Sequence, residues 1–176
     1  MTSKLKTDVL ETVSGSGTIA LTNQLSGMTS ASVPAGSVLQ VINFRSTGFN
    51  TATTSTSYVD TGVEAAITPS STSSKILIVA NLNGLYKSGS NNVVSTRLLR
   101  GSTDLSKIDS MNTYTDSNAP SAAGASISYL DSPSSSSAIT YKVQFASANG
   151  ATAQINVRWN SSYTTHSFIT LTEIKG

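Results

Sequence analysis

A chain of 176 residues with a formal net charge of +2 and only 11% charged side chains has room for one ordinary domain and a short extension. Roughly a third of it is Ser or Thr, but 38% hydrophobic residues and so small a net charge set it apart from chains kept open by self-repulsion. The absence of cysteine excludes disulfide frameworks, thiolate catalysis and Cys-based zinc sites, and no apolar run approaches the ~20 residues of a membrane-spanning helix.

The chain begins MTSKLKTDVLETV, which lacks the apolar core of a secretion signal. Leu5, Val9 and Val13 fall on a weak helical stripe with Leu10 beside it, and a short strand fits the same residues. Ser14-Gly15-Ser16-Gly17 follows as a flexible tetrapeptide, then an apolar patch at 18–21, then polar sequence up to Val33-Pro34-Ala35-Gly36. So few large apolar side chains cannot build a core. Residues 1–36 are therefore expected to dock on the main domain, on sister subunits or on another protein. The favoured expectation is an attachment arm using Leu5, Val9, Leu10 and Val13, against an ordinary strand-containing extension.

Residues 37–176 carry short alternating segments separated by Ser, Thr, Asn and Gly. Strands are predicted at 37–45, 75–86, 92–100, 138–146, 153–159 and 166–174, with weaker ones at 56–61 and 126–131. Residues 76–79 are apolar on both faces, which marks a central strand or one covered by a partner copy. Tyr141, Val143 and Phe145 alternate with Lys142 and Gln144, and Ile155, Val157 and Trp159 with Asn156 and Arg158, the period of half-buried strands. The stretches 46–57, 69–74 and 132–137 are predicted as loops at the ends of the domain. The expected fold is all-β, an antiparallel jelly roll or sandwich of about eight strands.

Chemistry-bearing motifs are scarce. No G-x-S-x-G elbow, P-loop, G-x-G-x-x-G or D-x-[DN]-x-[DN]-G loop is present. His166 is the sole histidine and is expected at the start of the last strand. Neither an enzyme, a metal site nor a cofactor is expected. The basic residues are scattered with no stripe to track phosphates, so nucleic acid is not an expected partner. Tyr114, Trp159 and Tyr163 could stack on sugar rings while Asn160 bonds their hydroxyls. The opposing expectation has Trp159 plugging the end of the sandwich and the tyrosines on its rim.

Two stretches carry a resemblance. The N-terminal LKTDVLETVSGSGTIALTNQLSG is similar to the start of short tail-fibre-like virion proteins of marine and cyanobacterial bacteriophages (cyanophages among them). Residues 74–131 (SKILIVANLNGLYKSG, TRLLRGSTDL, ISYLDSP), 140–147 (TYKVQFAS) and 168–176 (FITLTEIKG) resemble the C-terminal tumour-necrosis-factor-like domain of the same proteins. The resemblance covers most of the chain and contains no catalytic motif. It implies a virion protein made in the host cytoplasm, a homotrimer of jelly rolls whose arm binds another virion protein. Ile76, Ile78, Phe168, Ile169 and Leu171 are the expected subunit contacts near the threefold axis.

The leading functional expectation is a tail-fibre or tail-tip protein for host attachment, touching a surface glycan or protein. The alternative is a capsid decoration or vertex protein, a cement or head-fibre component, which the lack of a long shaft favours. A polysaccharide depolymerase is the third reading.

Overall fold

The computed structural model describes residues 33–176 apart from Trp159 and Tyr163, and leaves undescribed the side chains of Asp109, Ser110 and Asn112. The arm residues Leu5, Val9, Leu10 and Val13 lie outside the described residues. The chain divides into two units, Met1–Val33 and Pro34–Gly176. Every described strand belongs to the second.

The strands are β1 (Val38–Arg45), β2 (Thr51–Thr53), β3 (Val59–Ile67), β4 (Lys75–Lys87), β5 (Asn92–Arg100), β6 (Thr103–Thr115), β7 (Ser121–Asp131), β8 (Ile139–Ser147), β9 (Ala153–Ile155) and β10 (Phe168–Ile174). All pair antiparallel. The first sheet runs β1-β10-β4-β7, with β9 and β2 continuing beside the end of β4, and the second runs β3-β8-β5-β6. Setting aside the short β2 and β9, the chain alternates between two four-stranded sheets in the order of a jelly roll. The all-β sandwich expected from sequence is the observed fold.

Period-two alternation places one face of each strand between the sheets. Ile76, Ile78, Ala80 and Leu82 of β4 meet Tyr141, Val143 and Phe145 of β8 in a core that also takes Leu98, Ile169 and Leu171. β4 is central, with β10 on one side and β7 on the other.

Several strand limits differ from expectation, among them that of β7, which begins at Ser121 and not at 126. β6 was not anticipated: its apolar positions Leu105, Ile108 and Met111 are three apart because register shifts interrupt its pairing with β5, and a bulge breaks the period on which strand recognition rests. β3 extends to Ile67, and its outward positions hold Gly62, Glu64 and Ala66, residues poor in β-propensity. β9 stops at Ile155, not at 159. Asn156 there takes a positive φ of 60°, while its amide nitrogen donates to Ser46 Oγ and to the Gly48 carbonyl. Residues 51–53, expected as loop, pair with β9 as β2.

The apolar interior ends in a polar row in which Gln40, Glu173, Ile76 and Asp131 are successive cross-strand neighbours. Glu173 is fully buried. Burial opposes its charge, but Gln40 Nε2 at 2.6 Å, the Ser70 N–H and hydroxyl at 2.7 Å and the Ser74 hydroxyl at 2.7 Å donate to it. These bonds outweigh the burial and hold the carboxyl below its ordinary value of 4.5. A depressed native pKa stabilises the fold above the unfolded value, and that contribution is lost as pH falls through the native one. Denaturant midpoints measured against pH should therefore fall on the acid side of 4.5, and Glu173→Gln should flatten that limb. Parallel limbs in the two proteins would refute the assignment.

Candidate functional site

The outward faces of the two sheets differ in chemistry. On the second sheet an ionic network crosses all four strands. Lys142 Nζ pairs with Asp60 at 3.0 Å, and Gln144 donates to Asp60 at 2.7 Å. Arg97 Nε donates to Gln144 at 2.8 Å, Arg97 pairs with Asp104 at 2.9 Å, and Lys107 closes on Asp104 at 3.0 Å. The Gln144 amide and then the Lys142 ammonium hold Asp60 below the usual carboxylate range. Such a face is suited to water, where its pairs contribute little to stability.

The first sheet carries no carboxylate on its outward rows. One row reads Val41, Thr172, Leu77, Leu130 across β1, β10, β4 and β7. The next reads Asn43, Thr170, Val79, Ser128, with Asn43 donating to Thr170 at 2.7 Å. Val38, Val41 and Leu130 are 59%, 56% and 51% exposed, and all three lie on this face. Scattered apolar residues need no explanation, but a cross-strand cluster facing water does.

Most of the residues expected as subunit contacts lie on the other face of this sheet. Ile76, Ile78, Ile169 and Leu171 have no accessible surface within a single chain, because they point between the sheets. Phe168 is half-buried and alternates with Ile169 onto the outward side, in register with Arg45 and Asn81. The outward apolar set of the same sheet is Val41, Leu77, Val79 and Leu130.

At the other end of this sheet lies a cleft of about 390 Å³ lined by Tyr86, Pro120, Ser121, Ala122, Val157 and Arg158. A kink in β4 creates it. The register between β4 and β7 shifts between Leu82 and Leu85, and Gly84 there has φ of +57°. Residues 156 and 157 cross over at that point, donating from their N–H groups to Asn83 O at 3.0 Å and Gly84 O at 3.1 Å. A Cβ on Gly84 would stand 2.6 Å from the Val157 backbone N and O. Gly84→Ala should thus displace this segment and cost upwards of about 1–2 kcal/mol from the left-handed backbone alone. An unchanged unfolding midpoint would refute the close approach.

Behind the cleft, hydrogen bonds fix the crossing segment. Ser167 Oγ donates to Asn156 Oδ1 at 2.7 Å and accepts from Asn83 N at 3.0 Å. His166 Nδ1 lies 2.6 Å from Ser46 O, a carbonyl that only accepts, so Nδ1 carries the proton. The His166 ring packs 5.1 Å from that of Phe49, tilted by 46°, and the Arg158 guanidinium lies 4.6 Å from the centre of the Phe49 ring, over its face. Among the described residues no carboxylate forms an ion pair with Arg158.

Of the expected glycan contacts, Trp159 and Tyr163 lie outside the described residues. Tyr114 is on strand β6, half-exposed, with its hydroxyl donating to Asn91 Oδ1 at 2.7 Å. Asn160 is exposed and accepts from Ser162 N at 2.9 Å in a local turn. No hydrogen bond joins Tyr114 to Asn160. Sequence reasoning missed Tyr86 and Arg158, which alternation assigned simply to a strand end and to the polar face of a longer strand.

No family model matches the chain, and no curated protein matches it. Among solved structures, the VP2 subviral particle of infectious bursal disease virus is similar over 78% of this chain at 9% identity, with a TM-score of 0.44. The match spans about a third of the VP2 chain's length (33%).

Proposed function

We propose that this chain is a non-enzymatic structural protein of a bacteriophage particle, assembled as a homotrimer and serving at the tail fibre or tail tip in attachment to the host surface. The phage assignment rests on the sequence resemblance of the arm and of the 74–176 segments. The observation that carries the assembly is the contrast between the two outward faces. Three copies that turn their first sheets toward a common axis bury Val41, Leu77 and Leu130 and leave the ionic network in water. Neutral hydroxyls such as Thr170 and Thr172 cost less to desolvate there than ions would, and a closed threefold arrangement leaves no further apolar face exposed.

The test is the position of this chain's density in intact particles imaged by cryo-electron microscopy. Threefold density on the tail tip or fibres is the expected result. Density on the capsid shell or its vertices would replace attachment with a decoration role, and release of fragments from host polysaccharide by the purified protein would replace it with an enzyme.

A further inference from the structure

We infer that the cleft between Tyr86, Ala122 and Arg158 is a binding site for an acidic saccharide, a sugar unit bearing a carboxylate. Its volume of about 390 Å³ lies toward the small end of ligand pockets, which run from about 300 to 1,000 Å³. Four of its six described lining side chains, Tyr86, Pro120, Ala122 and Val157, present carbon surface, and Tyr86 adds an aromatic ring. Such a wall takes the C–H face of a pyranose ring, and Tyr supplies stacking with a polar rim.

Arg158 determines the charge of the ligand. Its guanidinium is held by the Phe49 ring and not by an acid, and the Phe49 ring is itself braced on His166, whose Nδ1–H is tied to Ser46 O. A planar donor fork fixed in this way meets a carboxylate through two parallel hydrogen bonds. A phosphate fits less well, because among the described residues Arg158 is the one cationic side chain lining the cleft and multiply charged groups recruit several donors. The Ser121 hydroxyl and the Tyr86 phenol are further polar groups of the lining, available to a ring hydroxyl or the ring oxygen. The site stands about 23 Å along β4 from the Val79 row, at ~3.3 Å per residue.

The biological use of this site rests on the attachment reading, but binding is a property of the purified full chain. Titration calorimetry against galacturonate and glucuronate oligomers, with the neutral galactose and glucose oligomers as controls, is the direct experiment. Acidic oligomers are expected to bind and neutral ones to bind at least about tenfold more weakly, with the difference shrinking at high salt. Arg158→Gln should remove that preference, Arg158→Lys should restore part of it, and Ala122→Trp should block both classes by filling the cleft. Unfolding midpoints of the variants separate a local effect from misfolding. Equal affinity for acidic and neutral oligomers, or acidic binding that survives both Arg158→Gln and Ala122→Trp, would overturn the site, as would no binding of any acidic oligomer at millimolar concentration. If the acidic oligomers bind as expected but Arg158→Gln particles adsorb normally, the site stands and the attachment reading falls.

Discussion

Val41→Asp combined with Leu130→Asp is expected to reduce the particle in solution from three times the 18.2 kDa chain mass to a single chain. Both side chains are more than half exposed in the isolated domain, so the substitutions touch little of the core and should change its stability by no more than about 0.5 kcal/mol. Their effect comes from assembly. Each trimer would have to desolvate six new carboxylates beside one another at its axis, and like charges in a low-dielectric contact repel strongly. Light scattering coupled to size exclusion reads the mass. The matching control, Asp60→Asn on the ionic face of the second sheet, should leave it unchanged. A single-chain mass for the unmodified protein, or a trimer that tolerates both aspartates, would remove the first sheet as the contact.

The second large effect is expected at Asp131. This carboxylate, almost fully buried, joins the two sheets at one end of the sandwich. Arg100 Nη1 of β5 reaches both of its oxygens at 2.9 Å, and the Tyr141 hydroxyl of β8 donates to Oδ2 at 2.7 Å. Burial first, and then the adjacent carboxylate, push the Tyr141 phenol far above its ordinary value, so it remains a donor throughout the accessible pH range. Asp131→Ala leaves the Tyr141 hydroxyl buried without its acceptor and the Arg100 charge without its counterion. Removing one member of a buried pair costs about 3–5 kcal/mol. Arg100 keeps 30% of its side-chain surface in water, which places the expected loss near the lower bound. That is a large share of a total of about 5–15 kcal/mol for a domain. Tyr141→Phe, which deletes one donor and keeps the ring, should cost only about 1 kcal/mol. Urea midpoints at constant m measure both. Equal losses in the two variants would show that the Tyr141 hydroxyl bond, and not the pair with Arg100, accounts for what the carboxylate contributes.

How much of this was legible beforehand depended on the periodicity of each segment. The strand predicted at 92–100 is β5 with identical limits, and that at 75–86 is β4 short by one residue, because long apolar alternation between turn residues is the strongest local signal for a strand. The alternation of Tyr141, Val143 and Phe145 placed those side chains on one face, and they are the inward face of β8. β6 escaped because its bulges space Leu105, Ile108 and Met111 by three. The candidate site was less legible. Tyr86, Pro120 and Arg158 come from three distant segments, and only the kink at Gly84 and the crossing of residues 156–158 bring them to one cleft.

By itself, the sequence determined that the chain folds as an all-β sandwich, since a cysteine-free chain of short alternating segments and polar turns has few other ways to cover its apolar residues. It also determined that Ile76 and Ile78 share one face of their strand and Leu77 and Val79 the other. Which of those faces lies inside was decided only by the tertiary structure. A two-residue period groups side chains by face, but both groups in β4 are apolar, and the choice falls to whichever face the second sheet covers. That sheet took Ile76 and Ile78 into the core and left Leu77 on the outward face, in one row with Val41 and Leu130.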